Sequence, residues 1–150
     1  MLRLDGYFRE SFERQFITEG MVDGLLKNGE GHAIERHGPD ADIVGRMQSS
    51  HPRIRVPPTA SRFCSEEDLV QYSHRAFSAG TSSQLVLRDG TVKLTFEYNL
   101  GENGEEMLMD YVQRGMATVV HEEEFGSLVR TVVTLRRGQR PVIITSFPVL

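Results

Sequence analysis

The chain has 150 residues, with 17 Lys and Arg against 21 Asp and Glu and a formal net charge of −4. That length fits one compact domain, and the acidic balance argues against a general nucleic-acid binder, which carries a basic excess. No apolar run approaches the roughly 20 residues needed to span a bilayer, the opening Met1-Leu2-Arg3-Leu4-Asp5-Gly6 lacks a signal peptide's apolar core, and the single cysteine, Cys64, excludes an intramolecular disulfide and points to a reducing compartment.

Phe8, Phe12 and Phe16 recur every four residues and predict an amphipathic helix. Gly20 and Gly24 limit any continuation to a short helix over Met21 to Lys27, and Asn28-Gly29-Glu30-Gly31 is a break. Residues 1–29 thus read as a helical extension ahead of a core at 30–150. Gly31-His32-Ala33-Ile34-Glu35-Arg36-His37 follows, and Gly38-Pro39 should stop any helix there. Asp40 is a candidate N-cap for a helix over Ala41 to Gln48. Pro52, Pro57 and Pro58 preclude regular structure over most of His51 to Ala60.

Ser61-Arg62-Phe63 reads as a short extended piece. Ser65-Glu66-Glu67-Asp68 is an N-terminal capping pattern, with a helix expected from Glu66 to about Ala79 and Gly80 closing it. Gln84 to Arg88 and Thr91 to Tyr98 flank Asp89-Gly90, a two-residue hairpin signal. Glu102 to Arg114 reads as a long loop or a short helix. Met116 to His121, Leu128 to Leu135 and Pro141 to Phe147 are rich in β-branched residues, with a turn at Arg136 to Arg140. The expected class is α+β: helices first, then an antiparallel sheet of four or five strands.

Charge is unevenly placed. Arg36 to Arg62 holds five arginines against two aspartates, and Leu128 to Arg140 holds four arginines and no acid. Between them, Glu97 to Glu124 holds eight acids and one arginine. Such blocks can fold into one basic and one acidic face. Imidazoles beside guanidinium groups suit chemistry at a phosphodiester, one moving protons near neutral pH and the other holding charged oxygens.

His32 and His37 are therefore the first candidates for catalysis. On a helix their spacing of five sets them about 140° apart, so one can face a cleft while the other serves structure. Arg46, Arg53, Arg55 and Arg62 are candidate phosphate ligands. Arg62, between Ser61 and Phe63 and just ahead of a capped helix, is the favoured one, because backbone amides there add an anion site. Thr145-Ser146 interrupts the apolar last strand, and a hydroxyl there must pair or face a cleft. A zinc-protease pattern needs histidines four apart with a glutamate directly after the first. Here the spacing is five and Glu35 does not follow His32 directly, so no metal or other cofactor is expected.

These elements are similar to those of the C-terminal toxin domains of bacterial polymorphic toxins: Rhs, contact-dependent inhibition and type VI secretion effectors. The closest are those with a ribonuclease fold of the barnase–EndoU–colicin–RelE type or the RNase A-like type. The resemblance is carried by Gly31-His32-Ala33-Ile34 with Arg36-His37-Gly38, a trailing Arg46, Thr59-Ala60-Ser61-Arg62-Phe63, and the final Thr145-Ser146-Phe147-Pro148. In such domains a histidine, an arginine and a late threonine, often with a tyrosine two residues on, surround the scissile phosphate. The resemblance implies His32, His37 and Thr145 as catalytic residues and Arg46, Arg62 and Ser61 as phosphate binders. Phe147 stands where the tyrosine would be. It further implies a metal-independent endoribonuclease that needs no cofactor, delivered by a secretion system to the cytoplasm of a target cell. Its partners would be an RNA substrate and a cognate immunity protein, with no membrane.

Two other readings stand beside it. An NAD-dependent ADP-ribosyltransferase toxin would use Arg55 or Arg62, Thr81-Ser82-Ser83 and one of Glu122 to Glu124. A non-enzymatic interaction domain would use the acidic face alone.

Overall fold

The computed structural model describes residues 17–27, 31–43, 59–114 and 119–150. Phe8, Phe12, Phe16, Arg46, Arg53, Arg55 and the proline-rich segment up to Pro58 lie outside the described residues. The described chain runs α1 (Glu19–Lys27), α2 (Ala33–His37), β1 (Thr59–Phe63), α3 (Glu66–Ala79), β2 (Thr81–Val86), β3 (Val92–Asn99), β4 (Met107–Arg114), β5 (Val119–Gly126), β6 (Leu128–Leu135) and β7 (Val142–Val149). The α+β class and the order of helices before strands are as expected. The strands form two antiparallel sheets instead of one, ordered β1-β4-β5 and β2-β3-β6-β7.

Local chemistry accounts for most boundaries. Ser65 Oγ accepts a hydrogen bond from the Asp68 N–H at 3.1 Å, which caps α3, and the Gly80 N–H closes the helix on the Ala76 carbonyl at 3.2 Å. The β2–β3 connection is longer than a two-residue hairpin. The Leu87 N–H bonds the Thr91 carbonyl at 2.8 Å around a tight turn, and Gly90 takes the positive φ of 86° that only glycine adopts without strain. Glu102 to Arg114 is neither loop nor helix throughout, because its second half is β4. There Met107, Met109 and Val112 are fully buried, a strand pattern masked in the sequence by the acids ahead of it. Near Asp40, Ala41 and Asp42 are not helical and Ile43 is, so a helix over the whole of Ala41 to Gln48 is not formed at its start.

The main core lies between α3 and one face of the four-stranded sheet. Leu69, Ala76 and Phe77 from the helix meet Leu94, Phe96, Val129 and Val133 from the strands. Phe77 and Phe96 make an edge-to-face pair with centroids 4.9 Å apart. Val22, Leu25 and Leu26 extend this core along α1. The alternation in β3 and β6 then assigns the second face of that sheet to Lys93, Thr95 and Glu97 and to Arg130, Val132 and Thr134. That second face, turned away from α3, carries the candidate site.

Candidate active site

β7 changes its pleat in the middle. Thr145 pairs with Val132 but Ile143 pairs with Val133, so Ile144 is an extra residue, a β-bulge. Its carbonyl accepts the His32 backbone N–H at 2.8 Å. Gly31 lies so close to the strand that a Cβ there would stand 1.8 Å from the Ile143 carbonyl oxygen. The glycine before His32 therefore exists for close approach, and the double-histidine segment docks on the last strand through its backbone. The bulge also resets side-chain direction, leaving Ile143 and Ser146 toward α3 and Thr145 and Phe147 toward the second face.

His37 meets that face from the end of α2. Its ring lies 5.2 Å from the Phe147 ring, tilted by 33°. Its Nδ1 is 2.8 Å from the Ser61 carbonyl oxygen. A carbonyl can only accept, so Nδ1 carries a proton, and in the neutral imidazole the lone pair is on Nε2. Orientation through Nδ1 with proton acceptance at Nε2 is what a general base requires.

Register extends this contact into a row across the sheet. Phe147 is opposite Arg130, and Arg130 is opposite Glu97. The Arg130 guanidinium carbon lies 5.7 Å from the Phe147 centroid, within cation–π range, and its Nε donates to Glu97 Oε1 at 3.2 Å. Arg130 remains 39% exposed. Beside this row runs Thr95–Val132–Thr145.

Thr145 and its neighbour Ser146 differ sharply. Ser146 Oγ is fully buried between Ser73 Oγ at 2.6 Å and Thr131 Oγ1 at 2.8 Å, a closed hydroxyl network under α3. Thr145 Oγ1 is buried and has no hydrogen-bond partner among the described residues. An unsatisfied buried hydroxyl costs about 1–3 kcal/mol, and among the described residues nothing takes up this donor.

The remaining predicted residues divide. His32 is half exposed, with Nδ1 3.8 Å from Glu35 Oε2, and sits one residue from Thr145 through its backbone bond to Ile144. Ser61 uses its carbonyl for His37, while its buried Oγ donates to the Pro148 carbonyl at 2.7 Å and ties β1 to β7. Its hydroxyl is thus a clamp between the sheets and is turned to protein, not to a phosphate. Arg62 is also held by protein: Nε donates to Asp110 Oδ2 at 2.7 Å, and a terminal nitrogen donates to the Ala41 carbonyl at 2.7 Å. With 25% and 14% of their side chains exposed, Arg62 and Asp110 form a structural pair, and the phosphate role expected of Arg62 is not what its bonds serve. Arg46 lies outside the described residues.

The residue missed in the sequence is Arg130. It belongs to the arginine block at Leu128–Arg140, but only the register of β6 against β7 brings it to Phe147. Of the residues considered for ADP-ribosyl transfer, Thr81-Ser82-Ser83 lie on β2 and Glu122 to Glu124 on β5, edge strands of different sheets. Cys64 is exposed, and partial burial, with help from Asp110, Glu123 and Asp68, pushes its thiol above the ordinary value, opposite to an activated nucleophile. Among the described residues no three of His, Cys, Asp and Glu converge as a metal would need, and no helix is long and apolar enough to cross a membrane.

No protein-family model matches the chain, and neither a curated protein nor a solved structure matches it.

Proposed function

We propose that this chain is a metal-independent endoribonuclease toxin domain that cleaves RNA by attack of a ribose 2′-hydroxyl on the adjacent phosphorus. The observation that carries the reading is the docking of the double-histidine segment on the last strand, His37 against Phe147 and the His32 backbone on Ile144, more than a hundred residues later in sequence. The resemblance to polymorphic-toxin ribonucleases calls for a histidine and a late threonine at one phosphate. The Thr145 hydroxyl, without a partner among the described residues, is the donor this reading assigns to the phosphate once the strand yields to bound RNA.

In the proposed reaction His37 Nε2 takes the 2′-hydroxyl proton as the new O2′–P bond forms. The P–O5′ bond breaks, and the 5′-oxygen leaves with a proton supplied by a second acid, for which His32 is the candidate. The products are a 2′,3′-cyclic phosphate and a 5′-hydroxyl. Thr145 Oγ1 and Arg130 stabilise the charge gathering on the non-bridging oxygens, Arg130 in the role first expected of Arg62. Phe147 packs against the His37 ring in a tilted contact and cannot itself transfer a proton. The resemblance also supports delivery by a secretion system, action in the cytoplasm of a target cell and neutralisation by a cognate immunity protein.

The test is product analysis. A defined RNA incubated with the chain in EDTA should give fragments ending in 2′,3′-cyclic phosphate. An RNA with one 2′-deoxy sugar at the cleavage position should stay intact there. Cleavage of the deoxy position, or 5′-phosphate products, would refute 2′-hydroxyl attack.

A further inference from the structure

A second basic cluster lies on the same face of the sheet, at the far end of the β6–β7 hairpin. A cleft of about 230 Å³ opens there, lined by Thr134, Arg136, Gln139, Arg140, Val142 and Ile144. That volume is below the ~300–1,000 Å³ of pockets that hold drug-sized molecules, so it suits a phosphate group better than a whole nucleotide. Thr134 and Val142 are register partners. Thr134 is two residues along β6 from Val132, the partner of Thr145, which separates the two rows by about 7 Å. The cleft therefore begins within reach of a nucleotide next to the one at Thr145.

Its charge has the right sign. Arg136 Nε donates to Thr91 Oγ1 at 3.2 Å, which orients the guanidinium, and Arg140 lines the same cleft. Lys93, exposed, is the register partner of Thr134 on the other side. Asp89 is an opposing charge beside Arg136, its carboxyl held below its usual range by hydrogen bonds from the Thr91 backbone and side chain, with Arg136 adding to the effect. A larger cleft of about 560 Å³, between α1 and α3, is lined by Glu19, Asp23, Glu66 and Glu67, with Lys27 paired to Asp23 and Glu66. That one repels a polyanion.

We propose that the hairpin cleft of Arg136 and Arg140 is a phosphate subsite for a neighbouring nucleotide of the RNA, set beyond the scissile phosphate at Thr145. This rests on the ribonuclease reading. It makes the enzyme prefer longer RNA, because a dinucleotide fills the Thr145 end alone.

The experiment compares a mixed-sequence RNA dinucleotide with a hexanucleotide, using the full chain, the R136Q/R140Q double variant and the charge-retaining R136K/R140K variant. In the double variant the hexanucleotide-to-dinucleotide ratio of kcat/KM should fall about tenfold. The slope of log binding constant against log salt for the hexanucleotide should shrink by about 0.7, the value of one lost single-strand phosphate contact. The lysine variant should keep most of the ratio, and both variants should melt near the wild-type temperature. An unchanged ratio, or an equal loss on both lengths, would overturn the subsite. A wild-type chain that cleaves neither length overturns the ribonuclease reading itself, and the subsite falls with it.

Discussion

Ser146 and Thr145 are consecutive hydroxyl residues on one strand, yet they face two different kinds of protein. Toward α3, Ser146 sits in a closed network in which Ser73, Ser146 and Thr131 satisfy one another inside an apolar core. On the other face, Thr145 Oγ1 is buried with no partner among the described residues, two residues before Phe147, which His37 and Arg130 both contact. The first arrangement is complete and adds specificity to the packing. The second has no partner for its donor among the described residues, and a histidine and a guanidinium gather on Phe147 two residues along the same face. Under the proposed function, the two faces of the sheet divide stability from chemistry.

The sharpest way to break that contrast is His37→Ala. It should lower RNA cleavage by about 10²–10⁴-fold, the usual value of a general acid–base group. Thermal melts of the same variant separate loss of activity from loss of fold. Retained cleavage in a gel assay would remove the base from the account.

Paired substitutions at the two hydroxyls come next. Thr145→Val should lower cleavage by about 10²-fold, as loss of an oxyanion donor does, while stability holds or rises because an unsatisfied hydroxyl is gone. Ser146→Ala should behave in reverse, destabilising by about 1–3 kcal/mol as Ser73 and Thr131 lose their shared partner, with turnover per folded molecule unchanged. Thermal melts and rates on the two proteins test both halves. Equal behaviour of the two variants would erase the distinction between the faces.

Gly31→Ala and Arg62→Gln probe the supports. The alanine Cβ would collide with the Ile143 carbonyl, so the docked segment must shift, at about 1–3 kcal/mol and with loss of cleavage. Arg62→Gln should cost about 2 kcal/mol through Asp110 while leaving the salt dependence of RNA binding unchanged. A smaller salt slope would instead return Arg62 to the phosphate. The smallest effect concerns Cys64. With its thiol above the ordinary pKa, iodoacetamide at neutral pH should label it more slowly than an unstructured cysteine peptide, the rate rising as the solution becomes alkaline.

Much of the architecture was legible in the chain. The Ser65 cap, the α3 span and the Leu128–Leu135 strand all follow from local chemistry, and the structure has them. β4 was not legible, because the acidic run before it hides three buried apolar positions, Met107, Met109 and Val112, that only sheet pairing explains. Two sheets in place of one have the same origin: strand partners are set by long-range packing, which periodicity does not encode. At the site, His37 and Thr145 were visible as residue types out of place, an imidazole beside arginines and a hydroxyl in an apolar strand. Arg130 was visible only as part of a charge block. Its selection over Arg62 needed two facts that no local pattern holds, the β6–β7 register and the Asp110 partner across β1 and β4. The bulge at Ile144 left one trace in the sequence, Gly31, whose missing side chain makes room for the strand it docks on.

The most direct measurement is incubation of the purified chain and its His37→Ala variant with total bacterial RNA, in EDTA and without NAD, read on a denaturing gel. The account predicts discrete fragments from the wild type and intact RNA from the variant. Intact RNA from both, or the same fragments from both, would contradict it.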